Sequence, residues 1–360
     1  MKHSIRPVTL MVALSLALAA CGQPSAPQSS SVLPEGSAAP VVSGESIAST
    51  APSESTASAP NRYPEFILGE TETTVTFLDC QDKQITLTKN PKRVVSCYNS
   101  MLDMWYLCGG EAVARVSGKE NVPEAAKALP EVGSLGSPSI EAILAADPDL
   151  VLLSRNMDSQ LELIPLLEES QIEYLLADLK TDPYGSFDQY LYLFAKVLGH
   201  EDVYEAKGAK VKADCDAIIA KAQAIAPQPT VAVLYASKSS VKLETDGSQT
   251  GQMLHLMGAQ NIVRDDEIKV EGETRIDFSM EVLVARDPEY LLICTMGDVD
   301  ACKANIDKNL AADAAWGQLS AVKAGRVIYL PKEYTVYKPN AAYPKAFEAV
   351  AKAVYPDFAV

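Results

Sequence analysis

The sequence predicts an α/β protein of two similar lobes, each a mostly parallel sheet flanked by helices, joined by one long α-helix. Three observations predict it. Short apolar runs at residues 93–97, 150–154, 174–177, 231–235, 290–294 and 327–330 alternate with segments of helical period. The stretch 139–149 recurs at 279–289, an offset of 140 residues without a gap. Residues 201–226 hold no proline and one glycine, Gly208, and place Val211, Cys215, Ile218, Ala222 and Ile225 at steps of four and three, one face of a helix. At 1.5 Å per residue that helix is a strut about 39 Å long.

Taken in order, the chain starts with an address. Lys2 and Arg6 precede an apolar run at residues 8–20, which is too short to span a bilayer, and Leu18-Ala19-Ala20-Cys21 closes it. Small residues before a cysteine mark an export signal of the bacterial lipoprotein type. Residues 22–69 are expected to be a disordered leash. Over 22–60, Ser (11), Ala (7) and Pro (6) supply 24 of 39 positions, with no aromatic residue to offset the entropy of ordering. Such a leash lets the body roam about 35 Å from its anchor.

The first lobe is expected at 70–200, the linking helix at 201–226 and the second lobe at 227–360. Inside the repeat, Ser139 and Ser279 are helix caps, and Glu141 and Glu281 fall in the first turn, near the positive end of the helix dipole. Asp147-Pro148 and Asp287-Pro288 then stop the helix before a buried strand. A looser pair, Asp103 to Gly109 and Gln252 to Gly258, reads as two short helices ending at glycine. Trp105 and Trp316 read as core residues and His255 as part of an apolar helix. Apart from Cys21, the cysteines are Cys80, Cys97, Cys108, Cys215, Cys294 and Cys302. They show no metal-ligand spacing, and either pair outside the cell, for instance Cys294 with Cys302, or stay as buried free thiols.

Composition narrows function. The chain has 360 residues, a formal net charge of −16 and 48% apolar residues. The charge disfavours nucleic-acid backbones, and the apolar share is enough for a large core. With only three histidines, His3, His200 and His255, no cage of several imidazoles can be assembled. G-x-S-x-G, H-E-x-x-H and P-loop patterns are missing, which leaves an extracytoplasmic two-lobe enzyme as the weaker alternative.

Five segments in order carry a resemblance: Asn90-Pro-Lys-Arg-Val-Val-Ser96, residues 132–141 through Pro148-Asp149-Leu150, Ser279-Met-Glu281, residues 316–327 and Val354-Tyr-Pro-Asp-Phe358. Over residues 72–358 the chain resembles the substrate-binding proteins of bacterial ABC importers, in the class whose lobes are joined by a single long helix and which serves ferric siderophores, haem and cobalamin. The resemblance implies a monomeric class III periplasmic-binding-protein fold, capture of a preformed metal chelate without chemistry or cofactor, and delivery to a permease. It also implies acylation of Cys21 and docking of Glu141 and Glu281 onto permease arginines. The hairpin at Asp79-Cys-Gln-Asp-Lys83 and the loop Cys97-Tyr-Asn-Ser-Met101 depart from the family's usual patterns. A surface sensor or adhesin on the same fold is a further alternative.

Ligands of open α/β sheets sit beyond the carboxyl ends of the strands. That rule nominates Tyr98, Asn99, Arg155 and Asn156 in the first lobe, and Lys238, Ser248, Gln249, Met296, Tyr334 and Tyr337 in the second. Tyrosines offer flat walls with a polar tip, and Arg or Lys would answer an anionic ferric chelate.

Overall fold

The computed structural model describes residues 61–180, 182–268 and 272–358. The export segment, Cys21 and the leash up to residue 60 therefore lie outside the described residues. The folded body begins earlier than the expected leash end at 69. Arg62 pairs with Glu205 at 2.8 Å, the Tyr63 hydroxyl donates to Asp188, and Phe66 and Ile67 are buried. These large side chains supply the apolar surface and the partners that hold the start of the body in place.

Strands β1 (Ile67–Glu70), β2 (Thr74–Leu78) and β3 (Gln84–Thr88) form an antiparallel meander. The first-lobe sheet follows: β4 (Val94–Ser96), β5 (Ala114–Arg115), and, after the small hairpin of β6 (Gly133–Ser134) and β7 (Ser137–Pro138), β8 (Leu150–Ser154) and β9 (Glu173–Ala177). Its order is β5-β4-β8-β9, with every pair parallel. The second lobe holds β10 (Thr230–Ala236), β11 (Val241–Glu244), β12 (Gln260–Asn261), β13 (Arg275–Asp277), β14 (Tyr290–Thr295) and β15 (Val327–Tyr329) in the order β13-β11-β10-β14-β15, with β12 beside β10. Here β11 and β13 run antiparallel to their neighbours, a hairpin edge on a parallel sheet. Both are short and polar, so they carry no apolar run to announce them.

Side-chain alternation along the strands divides the interior into three cores. Val94, Leu150, Leu152, Leu175 and Ala177 of the first lobe, with Val231, Val233, Leu292 and Cys294 of the second, face one continuous core. That core is filled by the helices Pro183–Leu198, Ala209–Gln223 and Tyr343–Val354, through Phe194, Cys215 and Phe347 among others. The opposite faces pack separately: Val95, Val151, Leu153 and Leu176 in the first lobe, and Ala232, Leu234, Leu291 and Ile293 in the second. The lobes are thus joined by shared packing as well as by one helix.

The linking helix runs from Glu201 to Gln223, three residues short of the expected end. It buries Val211, Cys215 and Ala222 as its periodicity predicts, with Ile218 half-buried against the same core. Residues Tyr204–Gly208 form a π-turn rather than α-helix. The Tyr204 ring lies edge-on to Tyr192, its hydroxyl donates to Asp188 at 3.0 Å, and a Cβ at Gly208 would come within 2.7 Å of that ring and 2.8 Å of Leu191. Glycine lets the strut press onto the helix Pro183–Leu198 where an ordinary side chain would clash.

The repeat holds in detail. Ser139 accepts from the Ala142 N–H at 3.2 Å and Ser279 from the Val282 N–H at 3.3 Å. Asp147 and Asp287 both end their helices at positive φ. Asp149 then accepts from the N–H groups of Lys92 and Arg93, while Glu289 accepts from that of Thr230, so each lobe uses its acid to fix the start of its central strand. The looser pair matches too: the helices Asn99–Leu107 and Gln249–Leu256 are followed by Gly109 and Gly258 at φ 83° and 90°. Trp105 and Trp316 are buried core residues, whereas His255 is exposed.

All six described cysteines are free thiols. Cys294 faces the shared core and Cys302 the second lobe's own core, on opposite sides of β14, which rules out the Cys294–Cys302 bridge.

Candidate functional site

A cleft of about 430 Å³ opens between the lobes at the carboxyl ends of β4 and β10. The first lobe contributes Tyr98, Asn99 and Ser100, the loop 116–121, Leu135 and Met157. The second contributes Tyr235, Arg275, Met296 and residues 336–338. A larger hollow of about 750 Å³ lies at the amino ends of the first-lobe strands, around Asn90, Asp149 and Glu173. It is on the wrong edge of the sheet for a ligand of this architecture.

Helix starts aim the first-lobe wall. Tyr98 is the residue before the helix Asn99–Leu107, and burial raises its hydroxyl pKa. Asn99 donates to the Ser117 carbonyl at 3.2 Å and holds the glycine-containing loop against the helix. Its own carbonyl oxygen is buried without a hydrogen-bond partner among the described residues. Beneath them, the buried Gln160 donates to the carbonyls of Cys97 and Leu135 and accepts from the Ser154 N–H, tying β4, β8 and the β6–β7 hairpin together.

The second-lobe wall centres on Arg275. Its guanidinium lies 3.8 Å from the Tyr235 ring centroid, and Nε and Nη2 both reach Glu244 Oε1 at 3.0 Å. Glu244 is buried, and burial raises its carboxyl pKa against the opposing pull of Arg275 and Ser248. Arg275 also lines the cleft. Beside it, burial pulls the Lys338 amine down to about 8. Tyr235 shifts upward by burial, with Arg275 opposing.

The floor is stitched across the lobes. Asn121 donates to the Ser100 hydroxyl and to the Lys338 carbonyl, both at 2.9 Å. Asn340, at φ 49°, donates to the Ser100 carbonyl at 3.0 Å and to Asp103 at 2.8 Å. Burial raises the Asp103 carboxyl pKa, with the Asn340 bond opposing.

Of the nominated residues, Tyr98, Asn99, Met296 and Tyr337 meet in the cleft. Arg155 and Asn156 do not: both are exposed, the Arg155 charge acts on Cys80, and the chain turns so that Met157 faces the cleft instead. Lys238 is exposed in the β10–β11 turn, held there by the Ser237–Ser240 bonds. Ser248 is a buried cap, accepting from the Gly251 N–H at 3.0 Å. Gln249 acts one step back, donating to the carbonyls of Tyr334 and Tyr337 and so positioning Tyr337. Tyr334 packs on the shared core. Tyr235 was within reach of sequence reasoning, since it ends an apolar run. Arg275, on a three-residue polar strand, and Lys338 carried no comparable signal.

Glu141 and Glu281 are both exposed in the first turns of matched helices, away from the cleft. The Ser139 hydroxyl donates to Glu141 at 2.8 Å; backbone and hydroxyl donors together hold that carboxyl below its usual range.

Comparison with known proteins agrees with this geometry. Residues 94–334 match the family model described as "Periplasmic binding protein". A Bacillus subtilis protein named "Uncharacterized ABC transporter substrate-binding lipoprotein YvrC" is 23% identical over 287 residues, covering 79% of this chain and 86% of its own. Among solved structures, S. aureus IsdE complexed with heme aligns with TM-score 0.62 at 19% identity, covering 73% of this chain and 98% of IsdE. The catecholate-siderophore binding protein VctP from Vibrio cholerae aligns with TM-score 0.61 at 21% identity, over 79% of this chain and all of VctP, 100%. The shared cores, the repeat and the match across both lobes lead to one statement: the chain belongs to the periplasmic binding protein family.

Proposed function

We propose that this protein is an extracytoplasmic solute-binding lipoprotein that captures an anionic ferric chelate of siderophore type between its lobes and delivers it to an ABC importer. The observation that carries the choice of ligand is Arg275, locked by Glu244 and laid over Tyr235, beside Lys338. These cations face the cleft of a chain whose net charge is −16. A preorganised guanidinium suits carboxylate or catecholate oxygens, and the tyrosine and methionine walls suit ring edges. The orphan oxygen of Asn99 gives a ligand hydroxyl or amide an acceptor. At about 430 Å³ the cleft is in the lower half of the ~300–1,000 Å³ typical of small-molecule sites, which favours a compact chelate over a corrinoid.

Haem is the second reading, because Tyr98, Tyr235 and Tyr337 all reach the cleft and a tyrosinate can ligate haem iron. The cleft's size, at about 430 Å³, and the cations at Arg275 and Lys338 favour the compact anionic chelate over it. A first lobe that starts near residue 61 and runs to 200, a second at 227–360, acylation of Cys21, action as a monomer, and docking of Glu141 and Glu281 on a permease complete the proposal. Fluorescence-quenching titrations of the purified protein against a ferric catecholate, a ferric hydroxamate, haem and cobalamin test it. Tightest binding of the ferric catecholate is expected. Tight binding of the hydroxamate or cobalamin without the catecholate would overturn the anionic assignment.

A further inference from the structure

Two asparagines reach across the cleft floor from opposite lobes. Asn121 belongs to the first lobe. Its amide nitrogen donates to the Lys338 carbonyl of the second lobe and to the Ser100 hydroxyl of its own, both at 2.9 Å. Asn340 belongs to the second lobe. Its amide nitrogen donates to the Ser100 carbonyl at 3.0 Å and to an Asp103 carboxyl oxygen at 2.8 Å, both in the first lobe. Each amide thus commits both of its hydrogens, and the two meet at Ser100. They also share a backbone state, with φ at 54° for Asn121 and 49° for Asn340. Asparagine is among the few residues with a side chain that enter this region readily, so the chain turns there and keeps an amide at the turn.

These bonds join segments that lie outside both sheets, the loop 116–121 and residues 336–340. The shared core fixes the spacing of the sheets behind the cleft. Each segment is pinned to its own lobe as well: Asn99 holds the Ser117 carbonyl, and Gln249 holds the carbonyls of Tyr334 and Tyr337. Asn121 and Asn340 supply the hydrogen bonds to the opposite lobe. Ser100, Asn121 and Lys338 line the cleft, so the bridge is part of the surface that a ligand meets. A ligand that needs more depth has to displace the Asn121 amide and break its two bonds.

We propose that Asn121 and Asn340 determine specificity: they form a reciprocal clasp that sets the depth of the cleft and turns away ligands too large to sit above it. This rests on the reading of the cleft as a ferric-chelate site and adds what limits the size of the chelate. The clasp forms without ligand, since all its partners are protein groups. Its donors are uncharged amides, so it adds nothing to the attraction of an anion. Arg275 and Lys338 select by charge, and the clasp selects by size. Its loss therefore changes the ratio of affinities between small and large ligands, whereas loss of a merely structural asparagine weakens all of them alike.

Quenching titrations of the full chain test this with a ferric catecholate, a ferric hydroxamate, haem and cobalamin, in the unaltered protein and in Asn121→Gly and Asn340→Gly. Glycine accepts these φ values without strain, so the turn is kept and the amide removed. Each variant is expected to bind the compact chelate about tenfold more weakly and the larger ligands about tenfold more tightly, the scale of one hydrogen bond. Asn340 is buried. Should Asn340→Gly fail to fold, Asn121→Gly and Asn121→Asp decide. Aspartate has the same size and tolerates the same φ but cannot donate when ionised, so Asn121→Asp is expected to admit the larger ligands as glycine does. If Asn121→Asp excludes them while Asn121→Gly admits them, bulk sets the limit and the clasp is overturned. If all ligands weaken alike, the clasp is overturned and the chelate reading stands. If the unaltered protein prefers the hydroxamate, the anionic assignment falls, and the ratio taken to the hydroxamate still decides the clasp. If the unaltered protein binds haem or cobalamin as tightly as either chelate, the size limit and the chelate reading fall together.

Discussion

Replacing Arg275 by glutamine separates what this residue does for the fold from what it does for the ligand. Glu244 is 1% exposed, and both of its contacts to Arg275 are 3.0 Å. Breaking a buried ion pair from one side costs about 3–5 kcal/mol. The Arg275 side chain is 32% exposed, so solvent screens part of that, and the expected loss is about 2–3 kcal/mol. In a chain this size that lowers the melting temperature by about 4–8 °C. The deficit should depend on pH with a known sign. Burial already raises the Glu244 carboxyl, and without Arg275 it rises further. The native state then holds a proton that the unfolded state releases, so stability falls as pH rises through the folded pKa and recovers on acidification. Adding Glu244→Gln removes the stranded charge and should restore most of the stability. Ferric-catecholate affinity should stay low in both variants, by about tenfold to a hundredfold, the worth of a charge-assisted bond. Thermal melts at several pH values and quenching titrations read these outcomes. Normal affinity in the double variant would refute the role of Arg275 as the anion-binding group.

Lys338, whose amine sits near 8, should make anion binding weaken as pH rises past that value, and Lys338→Met should bind less tightly but without that dependence, measured by titration from pH 6.5 to 9.5. Gly208→Ala should cost about 1–3 kcal/mol in chemical denaturation, because the added methyl meets the Tyr204 ring and Leu191 closer than 3 Å. Asn340→Ala removes bonds to Ser100 and Asp103 and puts a Cβ-bearing, non-Asx residue at φ 49°. It should destabilise by about 1–3 kcal/mol and lower chelate affinity by loosening the cleft floor. Of the six body cysteines only Cys80 is not fully buried, so under native conditions a thiol reagent should label it first and the others only on unfolding, with no disulfide found by mass analysis.

The parts of this fold that show in the sequence are those governed by periodicity and by short local rules. Buried parallel strands read as apolar runs, and the linking helix declared itself through Val211, Cys215 and Ala222. The repeat was visible because each lobe needs the same cap, the same acid in the first turn and the same stop before a buried strand. What did not show depends on distant pairing. Strands β11 and β13 are short, polar and held by a neighbour rather than by their own pattern, and Arg275 came hidden with them. The rule of strand carboxyl ends found Tyr98, Asn99 and Met296 but also selected Arg155 and Lys238, since it places a residue at the correct end of the sheet without saying which way its loop turns. Ser248 and Gln249 were selected for proximity, and they act through the cap and through the carbonyls of Tyr334 and Tyr337 instead.

The arrangement of the three cores bears on how a captured chelate would be released. Both sheets lean on one continuous core, and Asn121 and Asn340 bridge the lobes at the cleft floor, so wide opening would have to expose packed side chains and break these bonds. On the proposed function, selectivity would then rest on side chains already in place, Arg275 above all, rather than on a large closure. The helices carrying Glu141 and Glu281 are seated elsewhere, through Ile143 and Leu283 in the two separate cores. On the import reading, a partner that grips both helices would act on the outer layer of each lobe. Strands β4 and β14 lie between those layers and the shared core and end within two residues of Tyr98 and Met296, which makes them the covalent route from either layer to the cleft walls.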